Sequence, residues 1–493
     1  MLARTVELFV CPDGSDQSTG LSRTASGASG PLASVIGALN RVRELRKVEP
    51  DAWYVLTLLD GVYKVDGSIG IPSDICGSEN SSLILRAETA GSARLIGVGI
   101  LTPADNPYTS AKVAKSKMRE PLIKLEGASH VTIEGLVLEH CQGDGIHITR
   151  GSDIRLAGLK VRNIGNTGVV IDGGTHHAVL SCDIYQVAAT GIEVSGGDRR
   201  QLTRCNHEIV NNHVHHFATR IERHGSGIRV GGVGIRVENN HIHNSPNTAI
   251  RLSGNDHLIE KNHIHDVCQK TGDSGALYMG QDWTERGNII QYNLIHDTSQ
   301  IDDQRDHGRV SRAVYLDDCA SGTITHGNIF YDCTMAVFIG GGRSHHVTNN
   351  IFVGCNPALV IDGRGLDKKD HFKRMVDETM RHRFEAMNPL EPPYANRYPD
   401  LKELAAYYFH ATGVPPEGNL VSRNICVGDW IEVREPAVIK MIAIQNNFTD
   451  GDPGFANLAN RDFHLDESAE VLEFGFKPIP LEKIGLFQNR YRV

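Results

Sequence analysis

The sequence predicts an all-β solenoid, a right-handed parallel β-helix, and three observations predict it. First, a short phrase of Asn followed by alternating apolar residues keeps returning. It reads Asn211-Asn212-His213-Val214-His215, Asn239-Asn240-His241-Ile242-His243, Asn262-His263-Ile264-His265-Asp266 and Asn293-Leu294-Ile295-His296-Asp297, with weaker copies at Asn328, Asn350, Asn424 and Asn447. With Gly135, Gly158 and Cys182 placed in the same column, the shortest intervals are 22 to 24 residues, the period of a stacked repeat. Second, Val131-Thr132-Ile133, Ile154-Arg155-Leu156 and Ile228-Arg229-Val230 alternate with period two, so the unit is a strand. Third, the Leu scaffold that a horseshoe of similar period needs is missing. Asn suits the corners of such coils because it tolerates the left-handed conformation and its amide can bond the coils above and below.

The elements follow in order. Residues 1–120 are read as an N-terminal cap and the first coils. Within them, Pro31 to Lys47 places Leu32, Val35, Ile36, Leu39, Val42 and Leu45 on one helical face, with Arg41, Arg43, Glu44 and Arg46 largely opposite. A helix of that kind covers the open edge of a solenoid, which otherwise invites strand pairing with other chains. Residues 121–365 form the core of coils. Residues 366–418 read as a helical insertion broken by Pro389, Pro392, Pro393, Pro415 and Pro416, an excursion of the size that walls a binding cleft. The coils resume at Asn419 and run into a tail, residues 419–493.

Composition limits the partners. Charged residues at 22% and hydrophobic ones at 40% describe an ordinary globular chain of 493 residues, and the net charge of −9 argues against nucleic acid or an anionic membrane. No apolar run is long enough to span a bilayer. The opening Met1-Leu2-Ala3-Arg4-Thr5-Val6-Glu7 lacks the apolar core of a secretory signal, which leads us to expect a cytoplasmic protein, or a secreted or periplasmic one if a signal has been removed. The ten cysteines contain no Cys-x-x-Cys pair and are expected as small buried residues of interior columns.

The stretch from Gly272 through Gly280-Gln281-Asp282-Trp283 to Arg286-Gly287-Asn288 resembles the signature region of the β-helix enzymes of glycoside hydrolase family 141. So do Tyr315-Leu316-Asp317-Asp318-Cys319-Ala320-Ser321-Gly322, Ile339-Gly340-Gly341-Gly342-Arg343 and Asp362-Gly363-Arg364-Gly365, and the opening and closing segments keep the family style. Two features depart from it: Gln281 stands where relatives often carry Arg, and Ile96 to Glu120 is much shorter than the inserted region of many relatives. The resemblance implies a glycosidase acting on a plant cell-wall type glycan such as xylan, pectin or a fucosylated chain, and leaves the sugar open.

The residues also support a site of their own. Stacked coils place equal offsets about 4.8 Å apart. Eleven residues before Asn240, Asn262, Asn293 and Asn328 stand Arg229, Arg251, Asp282 and Asp317, which without an indel form one outward line. Two stacked carboxylates repel, which raises one pKa. A hydrolase uses that split, since it needs one protonated and one ionised acid. Asp282 and Asp317 are therefore the expected catalytic pair, with Asp318 and Asp273 as alternates. Asp317 and Asp318, as neighbours in an extended strand, are expected to face opposite ways. Binding of turn amides or of a structural cation is the competing account of these acids. Trp283 is a candidate sugar platform or a packing residue. Arg229, Arg251, Arg343 and Arg364 are candidates to hold an acidic sugar or to neutralise the acids, and His296 to touch substrate. The columns His213/His241/His263 and His215/His243/His265/His296 are expected as a stacking ladder in preference to a metal site, and no cofactor is expected. A polysaccharide substrate is the expected partner. The alternatives are a polysaccharide lyase acting on a uronate glycan and a noncatalytic carbohydrate-binding β-helix.

Overall fold

The computed structural model describes residues 4–24, 27–97, 120–220, 225–298, 310–367, 369–410 and 413–492. Most of the Ile96 to Glu120 segment thus lies outside the described residues. The chain divides into two compact units, one of Met1–Gly196, Cys205–Ile228 and Phe487–Val493, the other of Gly197–Arg204 and Arg229–Leu486. Each is a stretch of right-handed parallel β-helix in which, apart from the terminal sheet A strands Thr5–Val10 and Ile442–Gln445, each coil contributes one short strand to each of three sheets, A, B and C in chain order.

In the first unit, one coil runs Ser152–Ala157 in sheet A, Lys160–Ile164 in sheet B and Val169–Asp172 in sheet C. Alternation sends Ile154, Leu156, Val161, Val169 and Ile171 into a core from which they are fully excluded from water, while Arg155 and Lys160 face out. The cap helix is Val35–Arg46, and it packs on strands Thr5–Val10, Trp53–Leu58 and Ile69–Pro72. It starts later than the hydrophobic pattern indicates, because Ser34 Oγ accepts the Gly37 amide as an N-cap and leaves Leu32 extended beside Val10. Ile36, expected on the buried face, is exposed.

In the second unit the register holds rung by rung. In sheet C, Ile250, Leu277, Val314, Val337 and Leu359 stack in one inward column. The corner between sheets A and B is a two-residue device. Its first residue is left-handed, at Asn239, Lys261, Tyr292, Gly327, Asn349, Arg423 and Asn446. The second is a buried Asn whose Oδ1 accepts the backbone amide of its counterpart in the preceding coil: Asn240 N to Asn262 Oδ1 is 3.0 Å, Asn262 to Asn293 2.9 Å, Asn293 to Asn328 2.9 Å, Asn328 to Asn350 2.9 Å. Satisfying a buried amide this way avoids roughly 1–3 kcal/mol of desolvation per rung. The two jobs the sequence assigns to one Asn are thus divided between neighbours. In the first unit the register aligns Val137, Lys160 and Asp183, so Leu136, Leu159 and Cys182 fill the buried position. Gly135 and Gly158 belong to the left-handed position before it, one place away from where the sequence column puts them.

Between strands Leu359–Asp362 and Asn419–Ser422 the chain makes the helical insertion, with helices Asp370–Arg374, Arg381–Ala386, Tyr394–Arg397 and Leu401–His410. Its apolar side gathers Val376, Met380, Phe384, Tyr394, Leu401 and Leu404 around Trp283 and Cys319. Eight of the ten cysteines are buried, and all are free thiols. Among the described residues no helix is long and apolar enough to cross a membrane.

Candidate active site

At the corner between sheets C and A of the second unit the turns vary in length, and a cluster of charged groups gathers there. The turn from Gln281 to Asn288 is longer than Ser253 to His257 before it and Asp318 to Thr323 after it, and the insertion leaves from the same corner one strand past Gly340. A cavity of about 450 Å³ opens there, lined by Arg199, Arg251, Tyr278, Asp282, Glu285, His382 and Arg383 among others. Arg383 reaches over from the insertion and donates to the Gln281 carbonyl at 2.7 Å.

Two acids share one guanidinium in this cavity. Arg199 Nη1 lies 3.2 Å from Asp282 Oδ2 and 3.6 Å from Glu285 Oε1. Asp282 Oδ1 also accepts from the amide (2.8 Å) and hydroxyl (2.6 Å) of Thr284. Burial, reinforced by the charge of Asp282, pushes the Glu285 carboxyl up to about 8 against the pull of Arg199. Arg251 lies over the Tyr278 ring, 4.9 Å from its centroid.

Tyr278 ties the cavity to a second cluster by donating to Asp317 Oδ2 at 3.2 Å. Arg364 is the centre of that cluster: Nη1 contacts Asp317 Oδ1 at 2.6 Å and Asp318 Oδ1 at 3.0 Å, and Nη2 holds Asp362 Oδ2 at 2.9 Å. Burial first, and Asp318 second, raise the Asp317 pKa, with Arg364 opposing.

The model of the family described as the right-handed beta helix region matches residues 105–217, 144–267 and 201–367, together more than half of the sequence. The chain belongs to the right-handed β-helix family. No curated protein matches it at the sequence level. Among solved structures, it is similar to a PL6 family polysaccharide lyase from Pseudopedobacter saltans, at 11% identity and a TM-score of 0.50 over 88% of this chain and 95% of that one. It is also similar to the PL6 family alginate lyase AlyGC, at 14% identity and a TM-score of 0.51 over 92% of this chain and 58% of that one. A glycoside hydrolase aligns at 11% identity and a TM-score of 0.49 over 94% and 99%. At these identities the likeness establishes the fold.

On this β-helix the expected outward line does not form. Register pairs Arg251 with Tyr278, and Asp317 with Gly280, so Asp282 and Asp317 are not stacked. The extra residues of the Gln281–Asn288 turn displace any count made backwards from Asn293. Arg229 keeps its outward place on Ile228–Gly232 and is half-buried. Asp317 and Asp318 do not diverge either: Asp318 adopts φ 40° at the strand end, and both reach Arg364. Asp273 accepts from the Tyr315 hydroxyl at 3.1 Å and lies 3.6 Å from Arg312, outside the cavity lining.

Three further candidates lie outside the cavity lining. Trp283 is fully buried, its Nε1 donating to the Tyr408 hydroxyl at 2.6 Å, and is the packing centre of the insertion instead of a sugar platform. Arg343 is buried between Glu403, Glu417 and the Pro415 carbonyl, a clamp for the insertion and not for substrate. His296 stands on sheet B in the imidazole ladder, away from the sheet C cavity, with Nδ1 on Asp297 Oδ2 at 2.7 Å. Sequence reasoning missed Arg199, Tyr278, Glu285 and His382. The one signal available for Glu285 was the overlong interval between Asn262 and Asn293, which marks where the repeat is interrupted.

Proposed function

We propose that this β-helix hydrolyses glycosidic bonds of an acidic polysaccharide, with Glu285 as proton donor and Asp282 as its ionised partner. One observation carries the reading: two carboxyl groups line one cavity and flank one Arg199 nitrogen, and burial beside Asp282 pushes the Glu285 carboxyl up to about 8. Near neutrality Glu285 keeps its proton and can give it to the departing glycosidic oxygen. Asp282, held by Thr284 and Arg199, faces the positive charge that develops on the anomeric carbon. Arg251 and Arg383 supply cations to a uronate carboxylate, as a pectin-type chain presents. The resemblance to glycoside hydrolase family 141 agrees with hydrolysis.

Elimination is a second reading, favoured by the same two arginines, Arg251 lying over Tyr278, because neutralising a uronate carboxylate acidifies the neighbouring carbon-bound proton. The polysaccharide lyases sharing the fold make it worth testing directly. A panel of neutral and uronate polymers separates the two: hydrolysis yields new reducing ends only, whereas elimination adds the ultraviolet absorbance of an unsaturated uronic end. Hydrolysis predicts reducing ends without that absorbance and their loss in Glu285→Gln. Unsaturated products would overturn it.

A further inference from the structure

The sheet B face of the second unit carries a feature the proposed reaction does not use. His241 and His263 stack in one column, 4.7 Å between ring centroids and 3° between planes, and His243, His265 and His296 in the next, at 4.9 Å per step. The two columns meet edge to edge: His241 Nε2 is 2.8 Å from His265 Nε2, and His263 Nε2 is 2.7 Å from His296 Nε2.

The outer column is oriented from behind. His265 Nδ1 lies 2.7 Å from Asp266 Oδ2, and His296 Nδ1 2.7 Å from Asp297 Oδ2. Asp266 and Asp297 both adopt φ 48°, which turns each carboxylate back onto the imidazole before it. A carboxylate on Nδ1 fixes the proton there and leaves Nε2 as a lone pair, the arrangement found behind metal-bound histidines. Both lone pairs point at the inner column.

We propose that His241, His263 and His265 bind a divalent transition-metal ion of the Zn2+ class, with His296 placed as a fourth donor. One ligand atom from each of the three lies within 4.8 Å of the others, on half-buried side chains. Tetrahedral Zn–N bonds of about 2.0–2.1 Å set donors about 3.4 Å apart, so small ring rotations complete the site. Imidazoles select Zn2+, Cu2+ or Ni2+ over Ca2+ or Mg2+, and Asp266 and Asp297 offset the added charge. Arg461 lies 3.6 Å from Asp297, a contact the ion would weaken. The competing account is a ladder of imidazole–imidazole hydrogen bonds alone, with the inner Nε2 atoms protonated.

The full chain, stripped with chelator and dialysed against Zn2+, tests this independently of any glycan. We expect one saturable equivalent, a raised melting temperature, and with Co2+ the visible bands of tetrahedral nitrogen coordination. Two variants should fold, because their columns already hold the incoming residue: Leu294 follows His263 in register, and Tyr331 follows His296. His263→Leu and His265→Tyr should each weaken Zn2+ at least 100-fold, and Asp266→Asn about 10–100-fold. No saturable uptake by the folded wild type, or uptake unchanged in His263→Leu with its circular dichroism intact, would overturn the proposal in favour of the ladder alone.

Discussion

Two outer faces of the second unit contrast sharply in how they depend on the repeat. On sheet B, His263 lies on His241 and His265 on His243 with planes within 3°, because the strands stay in register from coil to coil. At the sheet C corner unlike groups follow one another: Tyr278 follows Arg251, Asp317 follows Gly280, and Glu285 belongs to a turn longer than those of the coils before and after. Repetition produces a ladder of like groups, whereas a cleft that needs an acid, its conjugate partner and cations must interrupt repetition. The difference teaches that in a solenoid the site is found where the period fails.

The largest effect should come from the irregular face. Replacing the proton donor in Glu285→Gln, or its partner in Asp282→Asn, should lower kcat by about 10²–10⁴ with little change in folding, measured as reducing ends released. Asp317→Asn, one hydrogen bond further away through Tyr278, should cost less. The pH dependence follows from the raised Glu285 pKa. A donor with a pKa of about 8 is lost as pH rises through that value, so the alkaline limb of kcat/KM should fall near 8. Stability has the same sign, since a carboxyl raised above its unfolded value favours folding at low pH and ceases to as pH climbs from about 4.5 toward 8. The slope of melting temperature against pH over that window should flatten in Glu285→Gln; an unchanged slope would mean Glu285 is ionised in the folded protein.

Next comes the wall of the cleft. Trp283→Ala empties the centre of the insertion's apolar cluster and removes the bond to Tyr408, which should cost about 3–5 kcal/mol in denaturant unfolding. Because His382 and Arg383 sit on the helix that packs there, substrate KM should rise as well. A stability loss with KM unchanged would separate the insertion from the site.

How much of this was legible follows from the corners. In the second unit the A-to-B corner is two residues, a left-handed one and a buried Asn locked by amide bonds, so counting forward from each Asn there places His263 on His241 and His243, His265 and His296 in one column, as the register shows. The C-to-A corner is locked only at its last residue, where His257 Nδ1 accepts the Ile235 amide, Asn288 Oδ1 the His257 amide and Asn419 Oδ1 the His345 amide; the turn ahead of that residue varies in length, and loops enter there. Counting backward from Asn293 therefore assigned Asp282 to the position Tyr278 holds, and the same error stacked it on Asp317. For Trp283 and Arg343 the sequence leaves a substrate role and a structural one open, and the structure shows the structural one, packing for Trp283 and pairing with acids for Arg343; the choice depends on the insertion's helices folding over them, which no local pattern conveys. The cap helix was visible in its periodicity, although the N-cap at Ser34 and the strand-like Leu32 trimmed it.

The smaller effects belong to the regular parts. Asn293→Ala interrupts the amide ladder between Asn262 and Asn328 and should cost about 1–3 kcal/mol. Asn293→Leu should recover part of it, since Leu136 and Leu159 fill the same corner position in the first unit with their side chains buried. If Leu proves as damaging as Ala, the two corners are not equivalent. Smallest of all should be His243→Tyr on the imidazole face. In the first unit Tyr185 stacks on His215 at 4.9 Å and 6°, so a phenol fits the column, and exchanging one half-exposed ring for another there should shift stability by less than about 1 kcal/mol. A larger loss would mean that the ladder depends on the hydrogen bond between His243 Nδ1 and Asn244 more than on the stacking that the strict register provides.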